Sequence, residues 1–165
     1  MTHTRALLAE LPSYTPGRSV PGAIKLASNE MPYPPLPSVA EAIAAAVAAD
    51  PTSGVNRYPD NAAVRLSEAL AERGGAEPAN IAVGCGSVSL CQQLIQTVCD
   101  DGDEVLFPWR SFEAYPIVTK VVGAVPRTVP VGADQRLDLP AVAAAITDRT
   151  RLVFVCTPNN PTSTV

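Results

Sequence analysis

Four short stretches of the 165-residue chain carry residue types suited to chemistry, and three of them directly follow runs that read as β-strands. The first is Val83-Gly84-Cys85-Gly86-Ser87-Val88-Ser89. Its glycines let the backbone come close to a ligand, and a helix opening at Ser87 offers free first-turn N–H groups and the hydroxyls of Ser87 and Ser89 as a cradle for a phosphate. The same residues also read as a plain strand-to-helix turn with Ser87 as N-cap. They form neither a P-loop, since no Gly-Lys-Ser or Gly-Lys-Thr follows, nor a dinucleotide fingerprint, since the third glycine is missing. The second stretch, Phe107-Pro108-Trp109-Arg110-Ser111-Phe112-Glu113-Ala114-Tyr115, offers aromatic faces for a planar ring and a guanidinium for an anion. Its alternative is that Phe112 and Tyr115 are the packing face of the next helix. In the third, Cys156-Thr157-Pro158-Asn159-Asn160-Pro161-Thr162, prolines stiffen a backbone whose Asn amide can reach a ring oxygen. Asn before Pro is otherwise a common turn. The fourth, Asn56-Arg57-Tyr58-Pro59-Asp60, sets a phenol beside an arginine, which suits a phosphate or a surface turn with an aromatic plug.

The elements that must position these stretches follow from hydrophobic period and punctuation. Residues 1–37 form an extended arm interrupted by seven prolines, with a short predicted strand at Ala23–Ala27. A helix is predicted from Pro37 or Ser38 to Ala49, its alanines offering a smooth packing face, and a second from Asn61 to Arg73. The second is capped by Asp60 or Asn61, buries Val64, Leu66, Ala69 and Leu70, and ends at Gly74-Gly75. Beyond it, predicted strands Ile81–Val83, Glu104–Phe107, Ala124–Val129 and Leu152–Cys156 alternate with predicted helices Ser87–Cys99, Phe112–Val122 and Leu139–Ile146. Strict alternation implies an α/β fold, a mostly parallel sheet with helices on both faces. Ligands in such sheets collect at the carboxyl ends of strands, where three of the four stretches lie.

Composition narrows the function classes. A net charge of −4 without a basic run gives no footprint for nucleic-acid phosphates, and the longest apolar run, Ala42–Ala49, is far shorter than the roughly 20 residues of a bilayer span. The first fifteen residues do not read as a secretion signal. Cys85, Cys91, Cys99 and Cys156 match no zinc spacing, three of them fall in segments that read as buried, and together they imply reduced thiols in a cytoplasmic protein. The single histidine, His3, sits near a terminus, so histidine catalysis and a histidine-held metal have no material here.

In order along the chain, Ser28-Asn29-Glu30 with Pro32-Tyr33, Arg57-Tyr58-Pro59-Asp60, the Gly86-Ser87 turn, Pro108 with Ser111-Phe112 and Tyr115, and Pro158-Asn159-Asn160-Pro161-Thr162 resemble the histidinol-phosphate and aromatic amino acid (phenylalanine) aminotransferases. These are pyridoxal 5′-phosphate enzymes of fold type I, and the resemblance runs from about Leu11 to Val165. It implies that Ser87 and Val88 hold the cofactor phosphate, that Phe112 lies on the pyridine ring, and that Asn160 donates to the ring's phenolic oxygen. It implies further that Tyr58 reaches the phosphate of a partner's cofactor across a homodimer, and that Tyr14 and Asn29 border the substrate pocket. The substrates implied are small molecules, an aromatic amino acid or histidinol phosphate as amino donor and 2-oxoglutarate as acceptor. The domains implied are an arm and small-domain helix in 1–55 and the first part of the cofactor domain in 56–165.

Three departures stand out. Val88 replaces the Asp or Ser of many members, Ser163 stands where the family has Gly, and the chain stops before the lysine that forms the Schiff base. Lys25 and Lys120 do not sit in that lysine's context, so a catalytically inactive fragment is the competing expectation, one whose uncovered sheet would self-associate. A third expectation, weaker because Ala82 and Val83 precede the glycines, is a resemblance to S-adenosylmethionine-dependent methyltransferases with Asp103 or Glu104 on the ribose.

Overall fold

The computed structural model describes residues 6–11, 20–26, 28–48 and 54–165, with only the backbone of Leu7 and Leu8. The chain divides into two compact units, Ser13–Ile81 and the combination of Met1–Pro12 with Ala82–Val165.

The smaller unit holds helices α1 (Pro37–Val47) and α2 (Val64–Gly74). Pro37 opens α1, where its missing N–H leaves no bond unmade. Every residue of α1 is exposed, so the alanine face expected to pack is uncovered here. The carboxylate of Asp60 starts α2 by accepting from the N–H groups of Ala62 at 3.0 Å and Val64 at 2.9 Å, and Gly75 ends it at φ 63°. The buried stripe of α2 differs from the expected one. Ser67 and Ala71 are inside, whereas Val64, Leu66, Ala69 and Leu70 are exposed. Small side chains one turn apart suit close packing, and α2 packs on the 3-10 turn Pro78–Asn80. The strand predicted at Ala23–Ala27 does not form over residues 23–26, where Ile24 and Leu26 are strongly exposed. Apolar alternation supplies half of what a strand needs; the other half is a neighbour to pair with.

The larger unit is built on a three-stranded sheet. Helix α3 (Ser87–Val98) leads to β1 (Glu104–Trp109), α4 (Ala114–Val122) to β2 (Val125–Pro130), and α5 (Leu139–Ala144) to β3 (Thr150–Val153). Strand order is β2-β1-β3 and both pairings are parallel, in register Glu104↔Val125 through Trp109↔Pro130 on one side and Val105↔Leu152, Leu106↔Val153 on the other. Because successive side chains alternate across a strand, Val105 and Phe107 face one core with Ile95, Tyr115, Val118 and Ala124, while Leu106 faces a second with Val129 and Val142. Helices α3 and α4 supply the first core and α5 the second. This is the α/β arrangement that the alternation implies.

The strand expectations change in detail: β1 runs on to Trp109, two residues past its expected end, and β2 lies one residue later than expected. Ile81–Val83 join no ladder, although Ile81 is extended at φ −107°, ψ 124°. β3 begins two residues before the apolar run, because its register is set by where β1 starts. The N–H of Phe154 still donates to Leu106 O at 2.9 Å before the chain leaves the sheet. Among the described residues no helix is long and apolar enough to cross a membrane, and no cluster of His, Cys, Asp and Glu is arranged to hold a metal.

Candidate functional site

The carboxyl end of the sheet is reached by three chain segments of the larger unit. Helix α3 leads into β1 and runs back along it, as its neighbours show. Cys91, one turn in, packs with Cys156 past β3 against the same core cluster, while Asp100, just past the far end, donates its N–H to the Asp103 carboxylate at 3.0 Å before β1. Ser87 therefore opens α3 at the carboxyl end. Gly86, its N-cap residue, holds φ 87° and ψ 166°, a region closed to side chains, and a Cβ added there would meet nothing within 4 Å. A Cβ on Gly84 would lie 3.1 Å from Leu90 Cδ2, so the turn is tight on its inner side and open on its outer side. No side chain caps α3; Ser87 and Val88 are exposed, and the Ser89 hydroxyl accepts from Gln93 Nε2 at 3.3 Å. The first-turn N–H groups are thus left without a side-chain cap at the positive end of the helix dipole, beside the open outer side of Gly86.

The second segment leaves β1 at Trp109. The Arg110 guanidinium lies 4.5 Å from the Trp109 ring centroid and 3.8 Å from Glu113, so the cation suggested as an anion site is engaged over an aromatic face. Phe112 is half-buried and meets Tyr115 edge to face at 5.5 Å; Tyr115 stacks on Phe154 at 4.5 Å and 4°. Both roles weighed for these aromatics are thereby divided, with Tyr115 in the core and Phe112 partly buried at its margin. Burial, followed by the nearby Cys156 and Cys91 thiols, pushes the Tyr115 phenol up to about 12. Burial also raises the Cys91 thiol, which remains protonated at neutral pH. All four cysteines are unbonded; Cys85 is exposed and the three expected to be buried are half-buried.

The third segment follows β3. Asn160 is half-buried, and Asn159 beside it is only 2% exposed. Asn159 Oδ1 accepts from the Ser111 hydroxyl at 2.8 Å, and its Nδ2 donates to Arg110 O at 3.0 Å and Thr162 Oγ1 at 2.8 Å. Ser163 takes φ 57°, so the residue standing where glycine was expected adopts the left-handed conformation glycine favours. The structure therefore brings Ser87, Val88, Phe112 and Asn160 into one unit, at one end of one sheet. Asn29 and Tyr58 lie in the smaller unit. Asn29 sits at φ 52° in a turn spanned by the Lys25–Glu30 ion pair at 2.6 Å, and Tyr58 is fully exposed. Tyr14 lies outside the described residues. Sequence reasoning missed the buried Ser111–Asn159 pair, although both residues belong to the ordered motifs.

The family profile "Aminotransferase class I and II" matches residues 21–165. The chain belongs to this aminotransferase family. It is 63% identical over 159 residues to an aromatic amino acid aminotransferase of Rhodococcus opacus, covering 96% of this chain and 43% of that protein. It is 56% identical to one of Corynebacterium glutamicum, covering 97% of this chain and 46% of that protein. Among solved structures it is similar to the histidinol-phosphate aminotransferase of Sinorhizobium meliloti in complex with pyridoxal 5′-phosphate, at a TM-score of 0.71 and 32% identity, covering 81% of this chain and 35% of the other. This aminotransferase chain thus spans less than half the length of the curated relatives it matches. The methyltransferase expectation is overturned by that membership. It also fails on geometry, since Asp103 and Glu104 lie at the amino end of β1, away from the glycine turn, and Glu104 is held by Thr147, Arg127 and Arg149.

Proposed function

We propose that these residues serve a pyridoxal 5′-phosphate-dependent aminotransferase that moves the amino group of an aromatic amino acid, phenylalanine-like, onto 2-oxoglutarate, with histidinol phosphate as the other candidate donor. One observation carries the reading: an uncapped twelve-residue helix opens through Gly86 onto free space at the sheet end that also carries Phe112 and Asn160. The residues present fit the cofactor. First-turn amides at Ser87 and Val88, with the Ser87 hydroxyl, suit its phosphate, and the side chain of Val88 costs nothing there because an amide is the donor needed. The partly buried Phe112 ring suits one face of a pyridine, and the Asn160 amide suits its phenolic oxygen. When bound, the cofactor supplies the electron sink that lets an amino acid lose its α-proton. The role of this chain is to hold phosphate, ring face and phenolic oxygen in fixed relation and to keep water from that face.

The full exposure of Tyr58 supports its use on a second copy of the chain, as a homodimer requires, and the four unbonded cysteines support a cytoplasmic setting. Asn29, and Tyr14 with it, are proposed for the substrate side, and the domain division proposed is an arm and small-domain helix in 1–55 and the first part of the cofactor domain in 56–165. Both lysines of the 165 residues are occupied at surface ion pairs, Lys25 with Glu30 and Lys120 with Glu10 at 2.9 Å. The 165 residues alone are accordingly proposed to be inactive. The test is glutamate production from 2-oxoglutarate by the full-length protein, with phenylalanine and histidinol phosphate as separate donors. Transfer from either donor only after loading with pyridoxal 5′-phosphate supports the reading, and transfer from neither, in a protein that takes up no cofactor, overturns it.

A further inference from the structure

We propose that Asn159, locked to Ser111, is a positioning residue that sets the distance between the two loops presenting Phe112 and Asn160; the inference rests on the reading that those two residues hold the cofactor ring. Ser111 is fully buried and Asn159 nearly so, and they are 48 positions apart in sequence. Each stands immediately before a ring-contacting residue, Ser111 before Phe112 and Asn159 before Asn160. The side chain of Asn159 uses its acceptor on Ser111 and its two donors on Arg110 O and Thr162 Oγ1. Two of these three bonds cross from one loop to the other. Its backbone is fixed as well, the N–H donating to Thr164 O at 2.8 Å and the carbonyl accepting from Ser163 N–H at 2.6 Å.

Packing alone does not call for such a residue. A buried amide gives little net stability over an apolar group of the same size, but leaving any one of its bonds unmade is costly, so it permits one arrangement of its neighbours. An apolar side chain would fill the space and allow the loops to slide. Because a misplacement of about 1 Å at a reacting group can cost about a hundredfold, the bond lies where rigidity has most effect on the ring.

The experiment uses the full-length protein titrated with pyridoxal 5′-phosphate, in the wild type, Asn159→Ala, Ser111→Ala, and a control, Val142→Ala, buried in the core on the opposite face of the sheet. Three quantities are read: the dissociation constant, the visible circular dichroism of the bound cofactor, which reports a fixed ring orientation, and the pH midpoint of its visible absorbance, which reports the hydrogen bond to its phenolic oxygen. Asn159→Ala and Ser111→Ala are each expected to weaken binding about tenfold, diminish the dichroism and raise the midpoint, with the double variant little worse than the poorer single one. Val142→Ala is expected to lower thermal stability and leave all three unchanged. Ser111→Ala, the milder change, keeps the test decisive if Asn159→Ala does not fold. Wild-type values in a folded Asn159 or Ser111 variant, or equal losses in Val142→Ala, would overturn the positioning role alone. A wild type that takes up no cofactor would overturn the reading beneath it and this inference together.

Discussion

At its amino end β1 carries a buried charge, Glu104, and beyond its carboxyl end the chain continues into a buried neutral pair, Ser111 with Asn159. Glu104 is 2% exposed, accepts from the Thr147 hydroxyl at 2.7 Å, and pairs with Arg149 at 2.9 Å and Arg127 at 3.6 Å. Those partners come from β2 and from the residues entering β3, so the network ties the three strands where they start. The Ser111–Asn159 pair ties two loops where the strands finish. A charged network resists rearrangement strongly but depends on protonation, whereas the neutral pair holds its geometry across pH. The frame is thus fastened by charge at one end, and by uncharged bonds at the end where a dianionic phosphate is proposed to bind.

The comparison breaks most visibly at Glu104. Glu104→Ala leaves two arginines facing each other without a counter-charge, and a fall in melting temperature on the order of ten degrees is expected, with cofactor affinity unchanged in the protein that remains folded. Scanning calorimetry with a cofactor titration checks both; loss of affinity at unaltered stability would erase the distinction between the two ends. The pH dependence has a definite sign. The Thr147 hydroxyl, and after it Arg127 and Arg149, hold the Glu104 carboxyl below the usual carboxylate range against the opposing effect of burial. Its folded value is therefore lower than its unfolded value of about 4.3, so its contribution is present above that pH and is lost as pH falls through the folded value. Glu104→Gln should start less stable at neutral pH and lose less on acidification; parallel pH–stability curves for the two proteins would contradict the assignment.

At the other end, Gly86→Ala forces a side chain into a backbone region essentially reserved for glycine, at a cost of about 1–3 kcal/mol. Relaxation of that strain would turn the α3 amides, so pyridoxal 5′-phosphate should bind more weakly while pyridoxal, which has no phosphate, is affected little. Equal losses for both ligands would detach the turn from phosphate binding. Tyr58→Phe is expected to leave the melting temperature in place, since the side chain is fully exposed, and to weaken pyridoxal 5′-phosphate about tenfold in the homodimer proposed above. Calorimetry and equilibrium dialysis would separate these effects, and unchanged affinity would remove Tyr58 from the site. The smallest change expected is a gain. Ser163→Gly relieves a non-glycine residue at φ 57° and should stabilise the loop after β3 by about 1 kcal/mol, measured by chemical denaturation. A loss there would mean that the serine contributes something the backbone angle does not reveal.

Much of the frame was legible because strand and helix periods are written locally. Val105, Leu106 and Phe107 announce a strand buried on both faces, and Ser87 through Val98 an amphipathic helix after glycine. What failed depended on neighbours. Leu66 and Leu70 have helical spacing, yet the spacing does not say which stripe is covered, and the structure covers Ser67 and Ala71. Thr150 lies in β3 because Glu104 of β1 pairs with it, and Arg151 is the extra residue at the register shift before Leu152, facts absent from their own side chains. Within the candidate site, Phe112 and Asn160 are suggested by one-residue chemistry, whereas the Ser111–Asn159 bond joins positions 48 apart and becomes visible only when both loops are in place.

The most direct trial of the account is a crystal structure of the full-length protein with pyridoxal 5′-phosphate. The account predicts the phosphate oxygens within hydrogen-bond distance of the Ser87 and Val88 amides, the pyridine over Phe112, and the Asn160 amide on the phenolic oxygen. A phosphate bound elsewhere, with the opening beside Gly86 filled by side chains, would contradict it.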